Sequence, residues 1–293
     1  MDWPVSVALA QSVPELPTGT DWSYEVKLDG HRMITWRTGD GVRLQARSGR
    51  DVTTAWGDLA LAGHHLPAGT ILDGEAVITT EDGQISFEAA QARAASSPAR
   101  ARRLAAQRPA HYIAFDALQL PSGDIRPRPY SERRAALLNL LAELPANTPI
   151  QAVSATTARD TALTWYTTLH NELGVEGIVA KHATSPYRAG RTGGWQKIRH
   201  AETVDADVIG YTGPKTRPRA LAVRLPNGRT ALTQTLSAPL AARLAQVLVA
   251  AGPAEQGRAD TGETYSRIPS GLAVVEVLAG TTRHAVVTPV RLR

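Results

Sequence analysis

Lys27 closes a strand-like segment in Glu25-Val26-Lys27-Leu28-Asp29-Gly30-His31-Arg32, a Lys-x-Asp-Gly-x-Arg pattern. A lysine amine attacks only when neutral, and nearby cations together with partial burial can lower its pKa toward that state. The chain contains no cysteine. A thiolate nucleophile, a disulfide framework and a thiolate-bound zinc are therefore excluded, and covalent chemistry falls to lysine, serine, threonine or a carboxylate. Read as a hairpin, Asp29-Gly30 is a favoured turn dipeptide between apolar runs, but that reading gives no reason for Lys27 or Arg32.

Four further segments follow in order: Leu72-Asp73-Gly74-Glu75, Tyr112-Ile113-Ala114-Phe115-Asp116, Val175-Glu176-Gly177-Ile178-Val179-Ala180-Lys181 and Trp195-Gln196-Lys197-Ile198-Arg199. Taken singly, each has an ordinary explanation. Phe115 in an apolar strand reads as core, Glu75 as a turn carboxylate, and Lys197 with Arg199 as a charged strand edge that discourages pairing. Their shared order overturns these defaults. Together the five segments resemble motifs I, III, IIIa, IV and V of the covalent nucleotidyltransferases, which comprise ATP-dependent DNA ligases, RNA ligases and mRNA capping enzymes. Within that superfamily, Arg47-Ser48-Gly49-Arg50-Asp51-Val52 and Ser185-Pro186-Tyr187-Arg188-Ala189-Gly190-Arg191 are similar to the text of the bacterial ATP-dependent DNA ligases.

The resemblance implies a division of labour. Lys27 would attack the α-phosphorus of ATP and hold AMP as a phosphoramidate. The 5′-phosphate of a nick would then take the AMP, and the 3′-hydroxyl would displace it. Each step adds negative charge at phosphorus, so cations must line the path. Glu75 and Glu176 would bind Mg²⁺ (or Mn²⁺) or the ribose, while Lys181, Lys197 and Arg199 would contact phosphates. Phe115 would stack on adenine, and the backbone of Glu25 would read the adenine edge. Arg32 and Arg47 would hold phosphate or the nicked strand, and Asp29 and Arg191 complete the nucleotide-binding set. Arg199 stands where many relatives carry lysine. The last ligase motif reads as Arg, an acidic residue and a further base, whereas here the chain stops at Arg291-Leu292-Arg293. Arg291 and Arg293 are expected to orient the pyrophosphate.

These residues need a scaffold. Residues 1 to about 200 alternate strand-like and helix-like patterns, with strands expected at Trp22 to Lys27, His31 to Arg37, Arg43 to Ala46, Thr70 to Ile78, His111 to Leu118, Ile150 to Val153 and Gly177 to Lys181. Phe87 to Gln107 reads as a helix broken at Ser96-Ser97-Pro98. Ser131 to Leu144 reads as a second, with Ser131 as N-cap and Leu137, Leu138, Leu141 and Leu144 at helical spacing. From about Asp205 short strands predominate: Val208 to Tyr211, Ala220 to Leu225, Ala231 to Gln234, Leu272 to Leu278 and Ala285 to Val290, with a helix at Pro239 to Ala251. Five strands with one helix after the third fit an OB barrel. The expected fold class is α+β, an ATP-grasp-like adenylation domain over residues 1–202 followed by an OB-fold domain over 203–293.

Composition sets the outer limits. The 293 residues are 43% hydrophobic and 20% charged, close to ordinary globular proteins. No apolar run reaches membrane-spanning length and the N-terminus lacks a secretory pattern, so a cytoplasmic protein without membrane contact is expected. A net charge of +5 permits polyanionic partners without proving them. The eight histidines, His64-His65 among them, show no metal-helix spacing and read as surface residues. The resemblance implies nicked double-stranded DNA as partner, a monomer, and a place in DNA repair or recombination, with a Ku-like end-binding protein as an admissible recruiter. Motif I lies so near the N-terminus that no separate DNA-binding domain is expected before it. The rival functions are an RNA ligase or GTP-dependent capping enzyme, which would share Lys27, Glu75 and Glu176, and a non-catalytic OB-fold DNA-binding protein.

Overall fold

The computed structural model describes residues 1–199, 203–226, 228–249, 255–260, 262–279 and 287–293. The chain divides into two compact units, Met1–His200 and Ala201–Arg293. Among the described residues no helix is long and apolar enough to cross a membrane.

The first unit runs β1 (Ala8–Ser12), β2 (Trp22–Lys27), β3 (His31–Arg37), β4 (Val42–Ala46), α1 (Gly57–Ala62), β5 (Thr70–Val77), α2 (Phe87–Ala94) and α3 (Pro98–Gln107). It continues with β6 (His111–Leu120), β7 (Gly123–Asp124), α4 (Tyr130–Ala142), β8 (Ile150–Ala152), β9 (Ala155–Thr156), α5 (Arg159–Leu173), β10 (Gly177–His182) and β11 (Gly190–Arg199). Two sheets result. The first has the order β1-β11-β10-β2-β9, and the second β4-β3-β5-β6-β7 with β8 beside β6.

Period-two alternation decides which side chains enter the site. In the first sheet Tyr24, Ile178, Ala180 and Ile198 point to one face and pack with Leu16 and Ala162 of α5. The odd-numbered residues of the same strands point the other way. In the second sheet Met33, Leu44, Leu72, Ala76, Tyr112 and Ala114 form the main core with Trp56, Leu59 and Leu137. Ile34, Trp36, Ile71 and Leu118 of that sheet meet Trp195 and Tyr187 of the other region in a smaller cluster, so the inner faces of the two sheets pack on each other.

The seven strands expected in the first unit all form, within one or two residues at their ends. The broken helix is two helices, α2 and α3, with Pro98 in the first turn of α3. Ser131 is not an N-cap: Pro129 holds that position, and the Ser131 N–H is satisfied by the Ala183 carbonyl at 3.0 Å. Leu137 is buried as its spacing predicts, while Leu138 lies exposed. Helix α5 has no counterpart in the sequence expectation, because its Thr-rich text has low helix propensity and its stability comes from packing on the sheet.

The second unit contains β12 (Thr203–Thr212), β13 (Ala220–Arg224), β14 (Thr230–Leu232), α6 (Ala238–Val249), β15 (Gln256–Arg258), β16 (Thr264–Arg267), β17 (Val274–Ala279) and β18 (Val287–Leu292). That is seven described strands where five are expected. β15 and β16 escape the sequence reading because three- and four-residue polar strands carry no alternation to detect. Strand β12 is long enough to pair with β13 along one edge and with β17 and then β16 along the other. A parallel bridge between Thr233 and Val287 joins the β14 end to β18, closing the ring β14-β13-β12-β17-β18. Leu240, Leu244 and Leu248 of α6, one helical turn apart, are buried in the core of this ring. Ala250, Ala251 and Ala285, at the ends of two expected elements, lie outside the described residues, as does the side chain of Arg291. Arg293 Nε donates to Asp205 at 2.9 Å, and its guanidinium reaches Glu276 at 3.2 Å. This arginine therefore has carboxylate partners inside its own unit.

Candidate active site

Register across three strands builds the site. In the first sheet Lys27 sits opposite Gly177, which sits opposite Arg199; Glu25, Val179 and Lys197 form the next row, and Ser23, Lys181 and Trp195 the next. Directly opposed residues share a face, so Lys27, Lys181, Lys197 and Arg199 all project to the inner side. Gly177 permits the first row: a Cβ there would lie 2.1 Å from the Ile198 carbonyl oxygen and 2.8 Å from Arg199 Cα. Helix α5 delivers the remaining member. Gly174 ends it in the left-handed conformation, φ +71°, and the chain enters β10 with the Glu176 N–H bonded to the Lys27 carbonyl at 2.8 Å. The Glu176 carboxylate then pairs with Lys27 Nζ through one oxygen and with Arg199 Nε at 3.0 Å through the other.

The chain has four lysines, Lys27, Lys181, Lys197 and Lys215, against 28 arginines. Three of the four stand on this one sheet face. Where only charge is needed the sequence uses arginine; a titratable amine is kept almost solely here. Burial, with Arg199 and Lys27 close by, pulls Lys197 down to about 8.

The second sheet supplies the facing carboxylates. Arg32 lies opposite Glu75 in the β3–β5 ladder and grips the fully buried Asp73 with two bonds, Nε to Oδ1 at 3.1 Å and Nη2 to Oδ2 at 2.6 Å. Burial alone would depress the guanidinium pKa, but Asp73 more than offsets it and raises it. Tyr187 donates to the same Asp73 oxygen at 2.6 Å and accepts from the Ala8 N–H at 3.1 Å, tying β1 to this sheet. Glu75 accepts from the Gly30 N–H at 3.2 Å. Gly30 is required in this turn, since a Cβ would meet the Ala76 carbonyl at 2.4 Å.

Burial pushes Glu75 up to about 7, against the opposing pull of Lys27 and Arg32. Burial and the neighbouring Glu176 push Asp29 up to about 6. Both carboxyls thus retain protons in the folded chain that the unfolded chain releases. It follows that the ligand-free protein loses stability as pH rises from about 4 to about 7. Thermal melts across that window should show this fall, and Glu75→Gln should flatten it; an equally steep fall in the variant would remove Glu75 as its source.

Lys181 is enclosed by protein groups. It is 1% exposed, with Nζ bonded to Glu25 at 2.8 Å and to the Phe115 carbonyl at 2.6 Å. The rings of Trp195, Phe115 and Tyr130 surround it at 4.1, 4.8 and 5.0 Å, and the Tyr130 hydroxyl donates to the other Glu25 oxygen at 2.5 Å. The ammonium is thus satisfied within the protein. Phe115 is half-buried, with the Arg32 guanidinium 5.1 Å from its ring centre and Trp195 edge-on at 6.1 Å. Arg47 and Arg191 are exposed, the former after β4 and the latter at the start of β11; Arg47 lies near enough to influence Lys197. His31, expected at the surface, is half-buried and stacked on Trp56 at 5.7 Å. Sequence reading assigned no role to Asp73, Tyr130 or Tyr187. Asp73 and Tyr187 belong to motif segments, but only the fold shows that they meet.

A lysine among cations on one sheet face, with carboxylates presented from a second sheet, is equipment shared by the class of lysine-dependent nucleotidyltransferases. Comparison with known proteins narrows the class. Residues 7–199 match the family model described as ATP dependent DNA ligase domain, and the chain belongs to that family. DNA ligase C of Mycobacterium tuberculosis is 38% identical over 221 residues, 74% of this chain and 60% of the relative. DNA ligase C2 of Mycolicibacterium smegmatis is 38% identical over 209 residues, 71% of this chain and 57% of the relative. The match thus spans less than two thirds of these relatives. Among solved structures, mycobacterial DNA ligase D complexed with ATP and MES aligns over 98% of this chain and 94% of that one, with a TM-score of 0.55 and 23% identity, a likeness of fold.

Proposed function

We propose that the chain seals nicks in duplex DNA at the expense of ATP, with Lys27 as the covalent carrier of AMP. The observation that carries this reading is the row Lys27–Gly177–Arg199 with Glu176 against both cations, in a member of the ATP dependent DNA ligase domain family. Lys27 must leave its ion pair with Glu176 and give up a proton. Its Nζ then attacks the α-phosphorus, the bond to the bridging oxygen breaks, and pyrophosphate departs with that electron pair. A 5′-phosphate oxygen next attacks the lysyl-AMP phosphorus and the lysine amine leaves. Finally the 3′-hydroxyl attacks the 5′-phosphorus and AMP leaves. Lys197, Arg199 and Arg32 face the space where this negative charge accumulates.

Adenine would stack on Phe115 beside the backbone of Glu25, and Arg47, Arg191 and Arg32 would hold phosphates of the nucleotide or the nick. Glu75 and Glu176, with Asp29 nearby, form an all-oxygen donor set suited to Mg²⁺ or Mn²⁺. Burial raises Glu75 to about 7 and, with Glu176 beside it, Asp29 to about 6, and a cation bound between them would favour the charged carboxylates. Among the described residues no group of three such donors converges, so the ion would complete its shell with phosphate and water oxygens. When bound it would supply neutralisation of phosphate charge. The second unit reads as an OB barrel: β12, β13, β14, β17 and β18 stand in the closed order of that fold, with α6 after the third strand.

Incubation with α-labelled ATP and denaturing electrophoresis tests the first step, and a nicked duplex tests the rest. A labelled adduct with ATP and joined strands are expected; an adduct with GTP instead would favour a capping-type enzyme. Nick binding should also be strongly salt-dependent. Raising salt from about 50 to 200 mM should cost roughly ten- to a thousandfold in affinity for two to six phosphate contacts. A flat response would show that the basic surface is not the DNA site.

A further inference from the structure

Helix α3 presents an outer face of arginine. Its text is Pro98-Ala99-Arg100-Ala101-Arg102-Arg103-Leu104-Ala105-Ala106-Gln107. Ala101 is buried, and Leu104 and Ala105 are half-buried beneath it, while Arg100, Arg102 and Arg103 are exposed and Arg108 follows in the same state. None of the four forms an ion pair with a described residue, and the helix has no carboxylate. Solubility alone does not require this composition. The exposed residues of α4 include Ser131, Glu132 and Asn139, and those of α5 include Asp160, Thr164, Thr167, Thr168 and Glu172, with no exposed cation on either helix.

The helix is also joined to the site through packed groups. Its inner face rests on the turn Thr53–Trp56, whose Trp56 stacks on His31, and His31 is the neighbour of Arg32 in β3. Arg93 of α2 lies over the same Trp56 ring at 4.9 Å and donates to the Arg108 carbonyl at 3.4 Å. The exposed Arg50 lies near enough to His31 to depress its imidazole, in addition to the larger effect of burial. Guanidinium groups without an ion pair to a described residue therefore occur at Arg47 and Arg50, in the loop after β4, and along α3, which packs on the turn that follows that loop.

We propose that Arg100, Arg102 and Arg103 grip the phosphate backbone of the duplex flanking the nick, continuing the basic surface that begins at Arg47 and Arg50. Arginine suits this task because its planar fork bonds phosphate in a bidentate manner. A ten-residue helix is about 15 Å long, enough to lie beside several phosphates at about one charge per 1.7 Å of duplex. The inference rests on the ligase reading.

The test is the affinity of the full chain for a nicked duplex with a dideoxy 3′ end, measured by fluorescence anisotropy across a salt series. In Arg100→Gln/Arg102→Gln/Arg103→Gln, whose glutamines keep helix propensity, affinity at low salt should fall at least about tenfold. The slope of log K against log salt should become shallower by about two to three, near 0.9 per lost phosphate contact. Self-adenylation with ATP, which needs no DNA, should stay within about twofold of the parent. If the triple variant melts early, the single substitutions replace it, each expected to flatten the slope by up to about one. An unchanged slope in a chain that forms its AMP adduct and seals nicks would overturn this proposal alone. Failure of the parent chain to form an adduct or bind a nick would overturn the ligase reading beneath it.

Discussion

Lys27→Ala is expected to eliminate the covalent AMP adduct, leaving no labelled protein band after incubation with α-labelled ATP. No thiol can substitute, since cysteine is absent, and the other two lysines of the face are committed or displaced. Lys181 is enclosed by three rings and bonded to Glu25. Lys197 stands one row away, opposite Val179 rather than Gly177. The substitution should not unfold the chain. Glu176 keeps Arg199 at 3.0 Å, and removing one partner of a partly exposed pair costs about 1 kcal/mol or less. Lys27→Arg should fail equally, because a guanidinium holds the same charge without yielding a neutral nucleophile. Sealing of a nick that already carries AMP should persist in both variants, since closure needs no lysyl bond. A normal adduct in either variant would sink the assignment.

The same residues show how far sequence reading reaches. Lys27, Glu176, Lys197 and Arg199 could be named because motif order fixes residue types, and period-two alternation puts Lys197 and Arg199 on one face of their strand, but that Lys27 shares this face follows only from the β2–β10–β11 register. Strands such as His31 to Arg37 and Thr70 to Val77 were legible as short, mostly buried runs bounded by turn residues. What was not legible depends on partners distant in the chain. Asp73 is a buried carboxylate whose meaning comes from Arg32, 41 residues earlier, and Tyr187, 114 residues later. Nothing local to Leu72-Asp73-Gly74 announces either partner. Helix α5 shows the complementary failure: tertiary packing stabilises a Thr-rich segment whose intrinsic propensity argues against a helix.

Lys181 and Glu25 are where the motif reading and the physical reading differ most, and the difference can be measured. Read by resemblance, Lys181 is a phosphate contact; in the fold it is half of an ion pair in which both residues are almost entirely buried. Burial pulls the ammonium pKa down, and Glu25 works against that shift. Glu25→Ala is therefore expected to cost about 3–5 kcal/mol, the penalty for stranding a buried charge. At roughly 2–4 °C per kcal/mol for a unit of this size, the melting temperature should fall by about 10 °C. The loss should shrink as pH is raised. Without Glu25 the folded lysine holds its proton less tightly than the unfolded one, so stability rises with pH once Lys181 begins to lose its proton and levels off above the unfolded lysine's pKa, about 10.4. Lys181→Met should also destabilise, though less, because the Tyr130 hydroxyl still donates to the stranded carboxylate at 2.5 Å. Glu25→Leu/Lys181→Met should recover most of the loss, since no uncompensated charge remains and the three rings accept an apolar chain. If Glu25→Ala melts within a degree or two of the parent at neutral pH, water reaches Lys181, and the amine is free to meet a phosphate as the motif reading requires.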